Sequence, residues 1–266
     1  MTSPNLEAFF SAITGALGAD GANRSEETIR RYGENTMPGG DRLPAGVVYP
    51  ASTTDVQLIV RAANTHKVAL YPISTGNNIG LGSRSASATG QVVVDLGRKM
   101  SSILDIDEKL AFAVVEPGVS YQALYDELVR RGNKLMLDVT SGPPQGGMIG
   151  NALDKGAGYS PYFDHFGFSC GLEIVLGNGE VLRTGDGALD SKDLINWHTS
   201  KYSFGPILDG LFTSLWLPCD AGRSAPTGQR VLRGPHGPDA DLGGAPASGR
   251  SDGAPATGPQ GPLGAL

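Results

Sequence analysis

Apolar residues recur at helical spacing in three parts of the chain. A first helix is predicted with Ser3 as its cap and Pro4 in its first turn, and its apolar face consists of Leu6, Phe9, Phe10, Ile13 and Leu17. A second helix begins at a Thr54 or Asp55 cap and has an apolar face of Val56, Ile59, Val60 and Ala63. A third helix is predicted over Ser120–Arg131.

Short runs of branched apolar residues predict strands around residues 68–72, 91–96 and 111–116. Leu172–Leu176 and Glu180–Thr184 flank the sequence Gly-Asn-Gly, which is a strong signal for a β-hairpin. Helices and strands therefore share the chain up to about residue 213, and the pattern predicts an α+β or mixed α/β domain.

The loop Tyr71–Gly82 joins two of the predicted strands and is rich in Ser, Thr, Gly and Asn, without a charged side chain. Glycines allow positive φ and close approach, so that consecutive backbone N–H groups can converge on phosphate oxygens. The loop therefore predicts a phosphate-bearing ligand.

Composition limits the partners. The 266 residues carry a net charge of −6 and have a pI near 5.2, which argues against nucleic acid. No apolar run approaches membrane-spanning length, and Glu7 interrupts any signal-peptide core, so we expect a cytoplasmic protein without a membrane partner. Cys170 and Cys219 are too few for a disulfide framework.

The last part of the chain differs in composition from the rest. From Leu217 to Leu266 there is no Phe, Tyr, Trp, Ile, Met, Lys, Glu or Asn. Such a segment cannot bury enough apolar surface to fold, so residues 214–266 are predicted to form a disordered Gly/Pro/Ala-rich tail. One interpretation is a flexible linker or tail. We favour a frameshift, because several of the absent residues have AT-rich codons, which would be rare in GC-rich DNA read out of frame.

Other chemistries are weakly supported. Gly167–Gly171 matches the G-x-S-x-G of serine hydrolases, with His198 and Asp186 or Asp190 as partners, but strand-like residues follow where a helix is required. The stretch Gly80–Ser85 lacks the third glycine of the dinucleotide fingerprint. The histidines are widely spaced, so we expect no metal site and interpret His165 as a hydrogen-bonded structural residue.

Six segments, in this order, are similar to the flavin-binding half of the vanillyl-alcohol oxidase and 4-cresol dehydrogenase family. The segments are S-T-G-x-N from Ser74, V-V-x-D-L from Val92, V-V-E-P-G-V from Val114, G-Y-x-P-Y-x-x-H-F from Gly158, G-x-E-I-V-L-x-N-G-x-V-L-R-T-G from Gly171 and F-G-P-x-L-D-G-L-F from Phe204. The resemblance implies a two-subdomain PCMH-type FAD-binding domain of the α+β class at residues 43–213. Residues 1–42 then form a helical lead-in.

The resemblance also implies which residues bind FAD. The pyrophosphate loop would be Ser74, Thr75, Gly76, Asn77, Asn78, Ile79 and Gly80. Other parts of the cofactor would contact Pro117, Gly118, Gly147, Ile149, Gly150, Asn151, Tyr159, Glu173 and Val175. Family members oxidise the benzylic carbon of para-substituted phenols, with hydride transfer to flavin and a quinone methide that water attacks. The implied partners are a small phenolic substrate and either oxygen or a cytochrome as electron acceptor.

The sequence departs from the family pattern in three places. Leu81 stands where many relatives have a phenolate-binding tyrosine. In the Asp138–Gly142 segment, Ser141 stands where the oxidases have an aspartate. This segment is nearer the pattern of the dehydrogenases. After Thr213 the substrate-cap domain does not follow. Three hypotheses compete: an FAD-dependent phenol oxidoreductase whose domain still binds FAD but is inactive alone, a non-catalytic flavin-binding module, and an unstable gene remnant. Catalytic residues are not assigned.

Overall fold

The computed structural model describes residues 4–36, 38–77, 84–109, 111–159, 164–167, 169, 171–185 and, by its backbone alone, the strand 210–218. Several sequence predictions lie outside these residues: those for Ser3, Asn78, Ile79, Gly80, Leu81, Cys170, Asp186, Asp190, His198, Cys219, the segment 204–209 and the tail beyond residue 218.

Three of the five described helices, the second, third and fourth, begin where a serine side chain caps the free N–H groups, whereas the fifth begins at Gly147 without a side-chain cap. The five helices are α1 (Pro4–Leu17), α2 (Glu26–Gly33), α3 (Thr53–His66), α4 (Tyr121–Arg130) and α5 (Met148–Leu153), with 3-10 turns at Ala19–Gly21 and Leu96–Arg98. The Ser120 side chain accepts from the Ala123 N–H, which confirms the predicted start of α4. For α3 the predicted cap is wrong, because Ser52 accepts from the Asp55 N–H and the helix begins at Thr53.

The first sheet lies in the N-terminal half of the described chain. Its strands are β1 (Ala22–Asn23), β2 (Gly46–Val48), β3 (Leu70–Ile73) and β4 (Val92–Asp95), in the order β1-β2-β4-β3. Strand β4 pairs in parallel with both β2 and β3. Parallel strands buried on both faces have near-continuous apolar sequence, as in Val92-Val-Val.

The second sheet is antiparallel. Its strands are β5 (Ile103–Asp107), β6 (Phe112–Val115), β7 (Gly171–Leu176), β8 (Val181–Gly185) and β9 (Gly210–Pro218), in the order β5-β6-β9-β7-β8. The β7–β8 pairing, which places Val175 opposite Val181, confirms the predicted hairpin. Residues 214–218, which the sequence analysis assigned to the tail, belong to β9.

Each sheet has its own core. Helices α1 and α3 cover one face of the first sheet with Phe9, Ile13 and Ile59, all fully buried. Helices α4 and α5 cover the second sheet with Leu124, Leu128, Ile149 and Ala152. Because α1 packs in the same core as α3, the helical lead-in forms part of the folded unit. The expected two-subdomain α+β architecture is confirmed.

Candidate cofactor site

The predicted anion-binding loop begins where β3 ends. Ser74–Asn77 come directly after Ile73, the last residue of β3, and Asp95 is the last residue of the parallel strand β4. Ligands of open parallel sheets bind at the carboxyl ends of the strands. Gly76 has a φ of +67°, a backbone conformation that favours glycine over other residues. The described part of the loop therefore lies at the edge of the sheet where a ligand is expected.

Three glycines pack against Ser74, a fourth packs against one of these three, and together they bring four segments of the chain into contact. A Cβ on Gly97 would clash with the Ser74 carbonyl, and one on Gly118 would clash with the Gly97 carbonyl. A Cβ on Gly147 would lie 2.5 Å from Ser74 Oγ, and one on Gly150 would lie 2.7 Å from the same atom. The loop, the 3-10 turn after β4, the turn before α4 and the start of α5 thus meet at spacings that only glycine allows.

Backbone hydrogen bonds hold the turn before α4 against the start of α5. The Gly118 N–H donates to the Met100 carbonyl at 2.7 Å, and the Tyr121 N–H donates to the Gly146 carbonyl at 3.2 Å. Ser120 and Gly147 form an isolated antiparallel bridge. Pro117 precedes this turn, while the Ile149 side chain is buried in the second core.

A buried polar network lies at the end of α5. The Tyr121 hydroxyl donates to Asn151 Oδ1 at 3.0 Å and lies 3.1 Å from His165 Nδ1, which also contacts Asn151 Oδ1. His165 Nε2 lies 3.5 Å from Asp138 Oδ2, and the other Asp138 oxygen accepts from the Tyr159 N–H at 3.0 Å. Burial, and then the Asp138 charge, raise the pKa of Tyr121, so its hydroxyl stays protonated. The structural interpretation of His165 is supported by these contacts.

The side chains of the two predicted residues on β7 contact other parts of the protein. The Val175 side chain is fully buried in the first core. Glu173 accepts from the Thr53 hydroxyl at 2.8 Å and pairs with Arg183 at 2.7 Å. Because both side chains contact other protein groups, any contact of β7 with a cofactor would be made by its backbone or by other side chains. Tyr159 is 78% exposed, and its backbone N–H donates to Asp138.

An open cleft of about 650 Å³ adjoins the loop. Its lining combines the end of α2 with the loop and the segment before α5, namely Arg31, Glu34, Asn35, Thr36, Gly76, Asn77, Arg84, Pro143 and Gln145. Asn77 Nδ2 donates to the Gln145 carbonyl at 3.2 Å, which links two of these walls. Two arginines facing a backbone loop favour an anionic ligand.

The wall formed by α2 is anchored on a buried carboxylate. The Tyr32 hydroxyl donates to Asp95 Oδ2 at 2.6 Å, and Asp95 Oδ1 accepts from the Arg98 N–H. Burial raises the pKa of Asp95, while these hydrogen bonds favour the ionised form. The Arg98 guanidinium lies 4.2 Å from the centre of the Tyr49 ring. These contacts place the end of α2 beside the strand that leads into the site.

The site fits FAD. The glycine cluster holds Ser74–Asn77 at the sheet edge, and the cleft beside it offers two cations to a cofactor whose pyrophosphate is doubly negative. The family described as "FAD binding domain" matches residues 44–185, which is more than half of the chain. This chain belongs to the FAD-binding domain family. The resemblance inferred from the motifs is confirmed.

Named relatives agree with this assignment. The 4-cresol dehydrogenase (hydroxylating) flavoprotein subunit of Pseudomonas putida is 37% identical over 199 residues, 74% of this chain and 38% of that protein. The 1'-carboxy-chondrochloren decarboxylase of Chondromyces crocatus is 38% identical over 213 residues, 80% of this chain and 39% of that protein. The 4-ethylphenol oxidase of Gulosibacter chungangensis, solved with isoeugenol, has a TM-score of 0.74 and 36% identity over 82% of this chain and 43% of its own. The chain spans less than half the length of each.

The other candidate chemistries find no support. Ser169 is fully buried, and the strand β7 rather than a helix comes after it, so the hydrolase motif lacks the helix that it requires. Within the described ranges, no group of three or more His, Cys, Asp or Glu is placed to hold a metal ion. No helix in the part of the chain that the structure describes is long and apolar enough to cross a membrane.

Sequence reasoning missed Gly97, Arg84 and the end of α2. Gly97 comes after the V-V-x-D-L string and belongs to no motif. It is needed because the Ser74 carbonyl, 23 residues earlier in the chain, leaves no room for a Cβ at this position. Arg84 lies in the stretch Gly80–Ser85, which does not match the dinucleotide fingerprint and therefore drew no functional prediction. Residues 34–36 gave no signal, since only the tertiary fold brings them to the cleft.

Proposed function

We propose that this domain holds FAD in an oxidoreductase that oxidises para-substituted phenols at the benzylic carbon. The observation that carries the proposal is the loop Ser74–Asn77, seated on glycines beside a cationic cleft, in a chain 37% identical to a 4-cresol dehydrogenase flavoprotein subunit. Phenolic compounds are named for that relative and for 4-ethylphenol oxidase, and they define the proposed substrate class.

Each part of the site would have its own role. Backbone N–H groups of Ser74–Asn77 would bind the pyrophosphate, and Gly147 and Gly150 would keep α5 close enough to fix the loop. Asn151, held by Tyr121 and His165, would orient groups at the end of α5. When bound, FAD would supply a hydride acceptor, and the protein would position the substrate carbon and exclude water.

We propose that the 266-residue chain binds FAD but does not turn over phenols by itself. It matches only 38% and 39% of two relatives, and oxidation of a phenol needs groups that stabilise the phenolate, none of which is assigned to residues of this chain. Those relatives are named for a dehydrogenase and a decarboxylase at nearly equal identity. The flavin half alone therefore does not specify the reaction, the electron acceptor or a cytochrome partner.

Titration of the purified chain with FAD, monitored by flavin absorbance and fluorescence, tests the first part. We expect saturable binding by the wild type and by Gly15→Ala, where a methyl group meets nothing within 4 Å. Gly147→Ala should bind more weakly, because its Cβ would lie 2.5 Å from Ser74 Oγ. Absence of FAD binding by the wild type would refute the proposal.

Turnover is tested with a 4-alkylphenol and a dye acceptor. The chain alone should give no turnover. A chimera that continues after Pro218, the end of β9, with the C-terminal part of the Pseudomonas putida flavoprotein subunit should reduce the dye. A chimera that binds FAD but oxidises no 4-alkylphenol would contradict the proposed substrate class, and release of CO₂ from a carboxylated phenol would favour a decarboxylase instead.

A further inference from the structure

Arg84 lies beside Gly76 and Asn77, in the described part of the anion-binding loop. A Cβ built on Gly76 would lie 3.0 Å from Arg84 Cβ and 3.5 Å from Arg84 Nε, so the arginine side chain packs against the glycine backbone. Arg84 Nη2 also lies 3.5 Å from Asn77 Oδ1. The guanidinium is therefore placed beside two residues of the loop, and Arg84 itself lines the cleft.

A buried tyrosine supports the other side of the guanidinium. The Arg84 Cζ lies 5.5 Å from the centre of the Tyr32 ring, within the range of a cation–π contact. Tyr32 is only 4% exposed, and its hydroxyl is fixed by the 2.6 Å hydrogen bond to Asp95. Arg84 thus lies between a glycine and a fixed aromatic ring, and these two contacts restrict the orientations of its guanidinium.

The Arg84 guanidinium forms no close ion pair with a described carboxylate, although its charge acts at longer range on Asp95. Among the described residues, no acidic side chain lies within 4.0 Å of its guanidinium, although Glu34 lines the same cleft. Arg31 is the other cation in the cleft, but it is exposed on α2 and does not contact the loop through any such packing. A planar guanidinium held with free N–H donors suits bidentate binding of phosphate oxygens.

We infer that Arg84 binds the pyrophosphate of FAD and neutralises part of its charge. The inference rests on the FAD site of the proposed function and deepens it, because it adds a charged side chain to a loop whose other donors are backbone groups. It also gives Gly76 a second role: a side chain there would displace Arg84.

The test measures the Kd for FAD by fluorescence titration at low and high salt for the full chain and three variants. Arg84→Gln should raise the Kd about tenfold to a hundredfold at low salt, because charge-assisted hydrogen bonds are lost. Arg84→Lys should recover part of the affinity and most of the salt dependence, since it keeps the charge but cannot bind two phosphate oxygens as the planar guanidinium does. Arg30→Gln, an exposed arginine on α2 outside the cleft lining, should change the Kd less than about twofold. The salt dependence of Kd should be weaker for Arg84→Gln than for the wild type.

The outcomes separate the explanations. Circular dichroism and the unfolding midpoint establish that each variant is folded. Equal FAD affinity of the wild type and Arg84→Gln would overturn the inference and leave the proposed function intact, since the arginine would then face another ligand. Equal losses for Arg84→Gln and Arg84→Lys, with unchanged salt dependence, would also overturn it, because packing rather than charge would be responsible. A wild type that binds no FAD would overturn both.

Discussion

The contact between α5 and the loop gives a prediction whose sign depends on one oxygen atom. Gly150 lies inside α5, where alanine is favoured over glycine by about 1 kcal/mol. A methyl group at this position would lie 2.7 Å from Ser74 Oγ but 3.7 Å from Ser74 Cβ. The first distance forces a shift, whereas the second is ordinary van der Waals contact. Overpacking of this kind costs about 1–3 kcal/mol. Gly150→Ala alone should therefore destabilise the domain by up to about 2 kcal/mol.

Removing the oxygen should reverse the effect. In a Ser74→Ala background the clash disappears, and Gly150→Ala should stabilise the domain by up to about 1 kcal/mol. Gly15→Ala, in α1 with open space around it, is the matched control and should stabilise in either background. The four free energies of unfolding, measured by urea denaturation and circular dichroism, form a double-mutant cycle. A coupling energy near zero would show that α5 does not press on Ser74, and would refute the reasoning.

Three further predictions concern stability. Burial raises the pKa of Asp95 above 3.8, so its contribution to stability is fully present at low pH and is lost as pH rises through the folded-state pKa. In Asp95→Asn this decline of the unfolding free energy as pH rises above 3.8 should be smaller. Hydrogen bonds from Arg130, the last residue of α4, and from Arg131 lower the pKa of Glu127 to about 2, so its contribution should be lost as pH falls from 4.5 towards that value. Glu127→Gln should remove this acid dependence in the same titration. In the β7–β8 turn, Gly179 has a φ of +82°, so Gly179→Ala should lower the unfolding free energy by about 1 kcal/mol. Gly177→Ala is the control: its methyl group would meet nothing within 4 Å, and it should change the unfolding free energy by less than about 0.5 kcal/mol.

Local signals predicted the elements that local forces form. Ser120 precedes an amphipathic run and caps α4, and Gly-Asn-Gly joins β7 to β8, because a cap and a tight turn involve only neighbouring residues. Helix α2 was missed because its sequence is strongly polar. Its buried contact, Tyr32 to Asp95, spans 63 residues and cannot be recognised from spacing.

The cofactor site shows the same division. The loop from Ser74 could be predicted from composition, since glycine and small polar residues are what a phosphate cradle needs. The placement of Arg84 beside Gly76 could not, because it depends on the path of the chain between them and on the Tyr32 ring. The motif resemblance predicts Gly147 and Gly150 as cofactor contacts, and the structure shows a separate constraint on both, the closeness of Ser74 Oγ.

Strand β9 determines where the folded domain can be divided. It lies between β6 and β7, with Trp216 opposite Val114 on one side and Leu215 opposite Leu172 on the other. The boundary predicted from composition, Thr213, falls inside this strand. In a chain that ended at Thr213, the parts of β6 and β7 opposite residues 214–218 would have no partner strand. Exposed strand edges of that kind promote aggregation with other chains. The FAD-binding unit therefore needs the residues up to Pro218, because they supply the central strand that joins the two halves of the second sheet.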